Sequence, residues 1–196
     1  PFADAAGTVG PRLAELVGPT GRVVGVDCCE AFLDHARAEV RTRGLTNVCF
    51  VRADAETALP TNQFDFVFAR FGTMFFANPV AGMRNMRKAL RPGGRMVHIV
   101  WRDRADNPWL SMAKDVVLRY LPSPGTDALT CGPGPFSMAN EEVVRAMMTS
   151  AGYDRIEFRR IDAPVMVGKD VDVAIAFQLA IGPAGEVFRE AGALAE

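Results

Sequence analysis

Two aspartates stand where a bound nucleoside would need carboxylates. Asp27 closes the apolar run RVVGV, twenty residues past Gly7, and Asp54 follows a second apolar run, VCFV, within VRADAE. Where a glycine loop, a helix and a strand follow one another, that first spacing puts a carboxylate at the tip of the second strand. There it can accept both hydroxyls of a ribose. An acid at the next strand end could then hold the exocyclic amine of the base. Each residue also has a plainer role open to it: Asp27 as a cap on the helix that begins near Glu30, Asp54 as a loop or cap carboxylate. A third stretch, FDFVFARFGTMFF, places Arg70 and Phe71 just past a strand, facing the same cleft. Asp65 inside it needs a hydrogen-bonded partner, and so belongs near the strand's start.

These residues require an alternation of strands and helices to carry them. Residues 8–17 form an apolar stripe with Pro11 in the first turn and Gly18 as the stop, which predicts a helix. Residues 22–26, 48–51, 64–69 and 95–101 read as strands, the first of them apolar enough to be buried on both faces. Helices are predicted over 30–42 and 79–90, with a short one near Ala55 and a break at RPGG. The alternation predicts an α/β fold, a doubly wound and mostly parallel sheet with helices on both faces. Past Trp101 the pattern changes: helices over 107–120 and 141–150, a Pro- and Gly-rich loop over 121–135, a hairpin from RIEFRRID and APVMV forming an antiparallel edge, and a helical tail over 171–191 broken at GPAG.

The chain has 196 residues, 49% of them apolar, and a net charge of -1, which fits one domain with a full core and gives no sign of nucleic-acid binding. The cations clustered between Arg84 and Arg95 are balanced by acids elsewhere. No apolar run reaches about 18 residues and no leader pattern opens the sequence, so stable membrane insertion is not expected and a cytoplasmic protein is. Cys28, Cys29, Cys49 and Cys131 lack metal-ligand spacing, and with His35 and His98 they make no zinc site; reduced thiols are expected. Both histidines read as structural.

Taken together, Asp27 in GRVVGVD, Asp54 in VRADAE, FDFVFARFGTMFFANP and ALRPGGRMVHIVWRDRADNPW resemble the class I S-adenosylmethionine-dependent methyltransferases, in the group that includes quinone-biosynthesis C-methyltransferases and many small-molecule methyltransferases. The resemblance implies a Rossmann-like fold, S-adenosyl-L-methionine as cofactor and methyl transfer to a small, apolar or aromatic molecule. It implies that Gly7 lies against the methionine part of the cofactor, that Asp27 binds the ribose with Cys28 beside the nucleoside, and that Asp54 takes the adenine amine with a backbone contact from Ala55. Arg70 and Phe71 would sit near the reactive methyl. Met74, Phe75, Phe76, Trp101 and Trp109 are large apolar residues near the expected strand ends and could form the substrate pocket or pack beneath a lid, expected over residues 102–140. Asp103 and Tyr120 are the candidates left for a base; O-, N- and C-methylation are not distinguished, and a homodimer stays open.

The sequence departs from the family at its start. The strand, acid and two glycines that precede the position of Gly7 have no counterpart in PFADAA. Either this is a variant without that strand, or residues are missing between 6 and 7; the second is expected, because losing a central strand would leave two ladder edges open. Two rivals remain. An NAD(P)-dependent oxidoreductase would share the glycine loop and the acid, but the sequence has no Tyr-x-x-x-Lys. A non-catalytic binding protein with a degraded cofactor site would share the fold.

Overall fold

The computed structural model describes residues 9–122, 133–181 and 183–192. Gly7 and the expected gap after residue 6 lie outside them, as do residues 123–132 of the expected lid. In chain order the elements are α1 (Gly10–Val17), β1 (Val23–Asp27), α2 (Glu30–Thr42), β2 (Val48–Arg52), β3 (Phe64–Arg70), α3 (Pro79–Ala89), β4 (Leu90–Ile99), α4 (Pro108–Val117), α5 (Glu141–Ser150), α6 (Val171–Ile181) and α7 (Pro183–Ala191). They fall into two compact units, Pro1–Val100 with Gly132–Ile156, and Trp101–Cys131 with Glu157–Glu196.

In the first unit β1 pairs in parallel with β2, and β3 with β4. The strands therefore form two two-stranded sheets; among the described residues none joins β1 to β3. On the first sheet Gly25 is in register with Phe50, whose ring packs against Leu33 and Ala36 of α2. A Cβ on Gly10 of α1 would stand 3.0 Å from the same ring, so α1 and α2 cover one face. Neighbouring strand residues point to opposite faces, and Val51, next to Phe50, is 47% exposed. Phe66 and Phe68 of β3 stack at 6.5 Å, with Phe66 also half in solvent. The expectation of strands buried on both faces is thus corrected: β1 is half-buried throughout.

Three other expectations change. RPGG follows the end of α3 at Ala89, as expected, but the strand expected from Arg95 starts at Leu90. Leu90 already pairs with Phe64, and the turn is absorbed as a bulge before Arg95 meets Phe66. No short helix forms near Ala55, where the chain makes a turn. The antiparallel hairpin is absent as well, since residues 155–167 pair with no strand. Their polar groups are taken otherwise: Arg145 donates to the Ile156 carbonyl at 2.8 Å, and Arg155 sits at φ +48.

In the second unit α4 and α6 both pack against α7. Gln178 donates to the Trp109 carbonyl at 3.0 Å. Arg102 pairs with Asp106 at 2.9 Å and with Asp162, the last residue of RIEFRRID, at 2.8 Å. Among the described residues no single helix is long and apolar enough to cross a membrane.

Gly25 gives a direct test of how tightly the first sheet is packed. A Cβ there would lie 2.5 Å from Cδ1 of Phe50. Gly25→Ala is expected to cost about 1–3 kcal/mol as overpacking, read from urea unfolding, and Phe50→Leu in the same chain should recover part of the loss. An unchanged midpoint in the single variant would contradict this packing.

Candidate functional site

Asp27 and Asp54 stand at the carboxyl ends of adjacent parallel strands. The Asp27 carbonyl accepts the Ala53 N–H at 3.1 Å, and its Oδ1 accepts the Cys29 N–H at 2.8 Å. This holds the carboxylate at the mouth of α2, whose own N-cap, Cys29, offers no side-chain cap. The capping role and the strand-tip position coexist, and Oδ2 accepts no hydrogen bond among the described residues. Cys28 is exposed, and its carbonyl accepts Arg52 Nε at 3.3 Å. Asp54 curls its loop in the same manner, accepting the Glu56 N–H at 2.8 Å.

Glu56 ties that loop to the other sheet's side of the molecule. Its two oxygens accept the N–H groups of Ala77 at 3.0 Å and Asn78 at 2.8 Å. Asn78 is the N-cap of α3, and its own side chain accepts from Ala81. A carboxylate at a helix N-terminus also meets the favourable end of the helix dipole. From α3, Asn85 returns a bond to the Ala55 carbonyl at 2.8 Å. The residue expected to touch the base is therefore clamped to the segment that follows β3.

That segment begins at Arg70. Its guanidinium carbon lies 5.6 Å from the centre of the Phe71 ring, and its Nε is buried with no acceptor among the described residues. Phe71 takes the left-handed conformation, φ +57, and donates its N–H to Ile99 at 2.9 Å. Thr73 and Met74 are buried in the tight turn beyond. Thr73 Oγ1 lies 3.2 Å from His98 Nδ1, and Ser137 donates to the Met74 carbonyl at 2.6 Å. Phe75 is half exposed. Phe76 lines an apolar cavity of about 300 Å³ with Val80, Met138, Val144 and Met147.

The remaining expected residues belong to the second unit. Trp101 and Trp109 meet there at 5.5 Å, while Asp103 and Tyr120 are exposed. Among the described residues no cluster could hold a metal ion.

Comparison with known proteins identifies the family and the fold. The family described as a methyltransferase domain matches residues 3–94. A ubiquinone/menaquinone biosynthesis C-methyltransferase of Pseudomonas putida is 30% identical over 175 residues, spanning 84% of this chain and 68% of its own. Its counterpart in Ectopseudomonas mendocina is 29% identical over the same spans. Among solved structures, a SAM-dependent methyltransferase of Aquifex aeolicus aligns with TM-score 0.56 at 23% identity, over 76% of this chain and 68% of that one. The CMeT domain of the citrinin polyketide synthase aligns with TM-score 0.60 at 17% identity, over 82% and 41%. These two likenesses speak for the fold.

Sequence reasoning missed Glu56, Thr73 and Ser137. An acid two residues past Asp54 gives no signal of its own, because its partners lie over twenty residues away. Glu56→Ala is expected to cost about 1.5–3 kcal/mol in urea unfolding, as charge-assisted bonds to two backbone donors are lost. A loss below a few tenths of a kcal/mol would mean the clamp carries no weight. His98, part-buried beside Thr73, has its pKa held below the ordinary value by desolvation. The folded state then binds fewer protons than the unfolded one, so stability is full above the unfolded histidine pKa, about 6.5, and falls as pH drops through it. Unfolding of the parent chain at pH 7.5 and 5.5 should show this loss, and His98→Gln should shrink it.

Proposed function

The chain belongs to the class I S-adenosylmethionine-dependent methyltransferases, and we propose that it methylates a carbon of an apolar, ring-bearing small molecule of the quinone-precursor type. The observation that carries this reading is the pair of immobilised carboxylates, Asp27 and Asp54, at the ends of adjacent parallel strands. The nicotinamide-oxidoreductase and non-catalytic alternatives lose their ground with the family.

The residues present fit the cofactor. Asp27 would accept the ribose hydroxyls through the oxygen that Cys29 leaves open, and Asp54 with the Ala55 backbone would face the adenine. Arg70 has a buried Nε in want of an acceptor. A buried donor left unpaired costs about 1–3 kcal/mol, which the carboxylate of the methionine moiety would recover. When bound, S-adenosylmethionine supplies a methyl group on a positively charged sulfur. The chain's part is alignment in a dry site, where positioning alone can be worth about 7–11 kcal/mol.

The apolar cavity beside Phe76 suits a ring with little polar surface. The C-methyltransferase relatives favour carbon as the acceptor. No base is assigned: His98 is part-buried with its Nδ1 3.2 Å from Thr73 Oγ1, and Asp103 and Tyr120 are exposed. The free thiols of Cys28, Cys29 and Cys49 suit a reducing compartment such as the cytoplasm.

Thermal unfolding with S-adenosylhomocysteine, and with NAD as control, tests the reading. At a hundred times its dissociation constant the ligand should stabilise by about 2.7 kcal/mol, raising the midpoint by roughly 5–10 °C. NAD should do nothing. Asp27→Ala and Arg70→Met should each weaken S-adenosylhomocysteine about tenfold or more, or about 1.4 kcal/mol. A chain that ignores S-adenosylhomocysteine, or an Asp27→Ala variant with full affinity, would overturn the assignment.

A further inference from the structure

The cations between Arg84 and Arg95 have no part in the site above. The fold gathers several of them at the opposite end of the β3–β4 sheet, where the strands start. Arg87, Lys88, Arg91 and Arg155 line a cavity of about 590 Å³ there, together with the Pro92–Gly94 turn and Tyr153. Asp154 is the acid on its wall. Arg91 is paired with Asp65 at 2.9 Å, and Arg155 lies 3.9 Å from Asp154. Arg87 and Lys88 have no carboxylate partner among the described residues, so the cavity keeps an excess of positive charge.

Its backbone is unusual as well. Asn62 (φ +53), Gly93 (φ +79), Gly152 (φ +94) and Arg155 (φ +48) all lie on its wall in the left-handed region. For Asn62 and Arg155 that conformation is uncommon, and strained backbone gathers where a ligand is clamped. The N–H groups of Asn62 and Gly152 are spent on the carbonyls of Lys88 and Thr149, so recognition at this wall falls to side chains. Gly152 lets the Arg87 guanidinium rest on the backbone: a Cβ there would lie 3.2 Å from its Cζ and Nε. Three forked guanidinium groups, of which Arg91 is tied to Asp65, and a lysine around one hollow match the oxygens of phosphate.

We infer that this cavity is a second ligand site, taking a phosphate-bearing anion at the end of the sheet remote from Arg70. Its volume exceeds a single phosphate and suits a phosphorylated organic molecule. The site does not depend on the methyltransferase reading.

Calorimetric titration with inorganic pyrophosphate, and sedimentation with phosphatidylglycerol against phosphatidylcholine vesicles, test it on the full chain at low salt. Pyrophosphate is expected to bind, and Arg87→Gln with Lys88→Gln should weaken it at least tenfold while leaving the S-adenosylhomocysteine shift intact. Sedimentation with phosphatidylglycerol alone, without pyrophosphate binding and abolished by the same changes, would support the site with a lipid headgroup as the source of phosphate. Should the double variant lose stability, Lys88→Glu, at an exposed position, carries the test with the same tenfold criterion. Failure of both probes to bind, or binding undiminished by these substitutions, would overturn the inference.

Discussion

The geometry of the site hangs on one carboxylate that is not in it. Glu56 accepts two backbone N–H groups at the entrance to α3, and through them joins the loop after β2 to the segment after β3. The two sheets share no ladder among the described residues, so nothing in strand pairing sets the Asp54 loop against the turn that follows Phe71. A side chain does what a backbone ladder would otherwise do. The packing around it is correspondingly close: a Cβ on Gly82 would lie 2.5 Å from the Phe76 ring and 3.2 Å from Glu56 Cγ. Helix start, aromatic ring and carboxylate are fitted as one piece, which leaves Phe76 on the wall of the apolar cavity.

Around that clamp each acid first satisfies local backbone donors. Asp27 and Asp54 both fold their side chains onto N–H groups two residues ahead. This is what a preorganised binding carboxylate requires. An exposed aspartate free to rotate would lose rotamer entropy on binding, whereas one held by a backbone N–H has lost it during folding. The local bond and the ligand role are therefore complementary. Arg70 is the opposite case, a donor buried without its acceptor.

Much of this was legible in the sequence, and the exceptions share a cause. Helix α2 ends where its apolar stripe and Gly44 put it, and α5 runs over the predicted residues, because short-range periodicity and stop signals decide both. Asp27 and Asp54 stand at strand ends as expected for the same reason: strand ends are local. The start of β4 was placed at Arg95 because the glycines of RPGG fit a bulge only once Phe64 and Leu90 are neighbours. RIEFRRID alternates like a strand, yet its charges find acids in Asp106 and Arg102's network instead of a ladder. The burial of β1 was overestimated because an apolar run reports what could be buried and not which faces are covered. Glu56, Thr73 and Ser137 act through partners distant in sequence, and one sequence carries no record of such pairs.

The left-handed residues connect the two ends of the β3–β4 sheet. Three described non-glycine residues hold positive φ, and their placement is uneven: Phe71 follows β3, while Asn62 precedes it and Arg155 lies near Asn62 on the same cavity wall. Neither Phe71 nor Asn62 can relax without cost to a bond made elsewhere. Phe71 in this conformation gives its N–H to Ile99, extending the β3–β4 pairing by one residue before the chain turns away. Asn62 gives its N–H to the Lys88 carbonyl at 2.8 Å, doing the same before the pairing starts. Phe71 and Asn62 thus bound the β3–β4 ladder abruptly at its two ends, and an abrupt end is what brings a side chain or loop close over a strand terminus. The strand ends, where backbone groups run out of ladder partners, are where this fold can spend its polar groups on something other than itself.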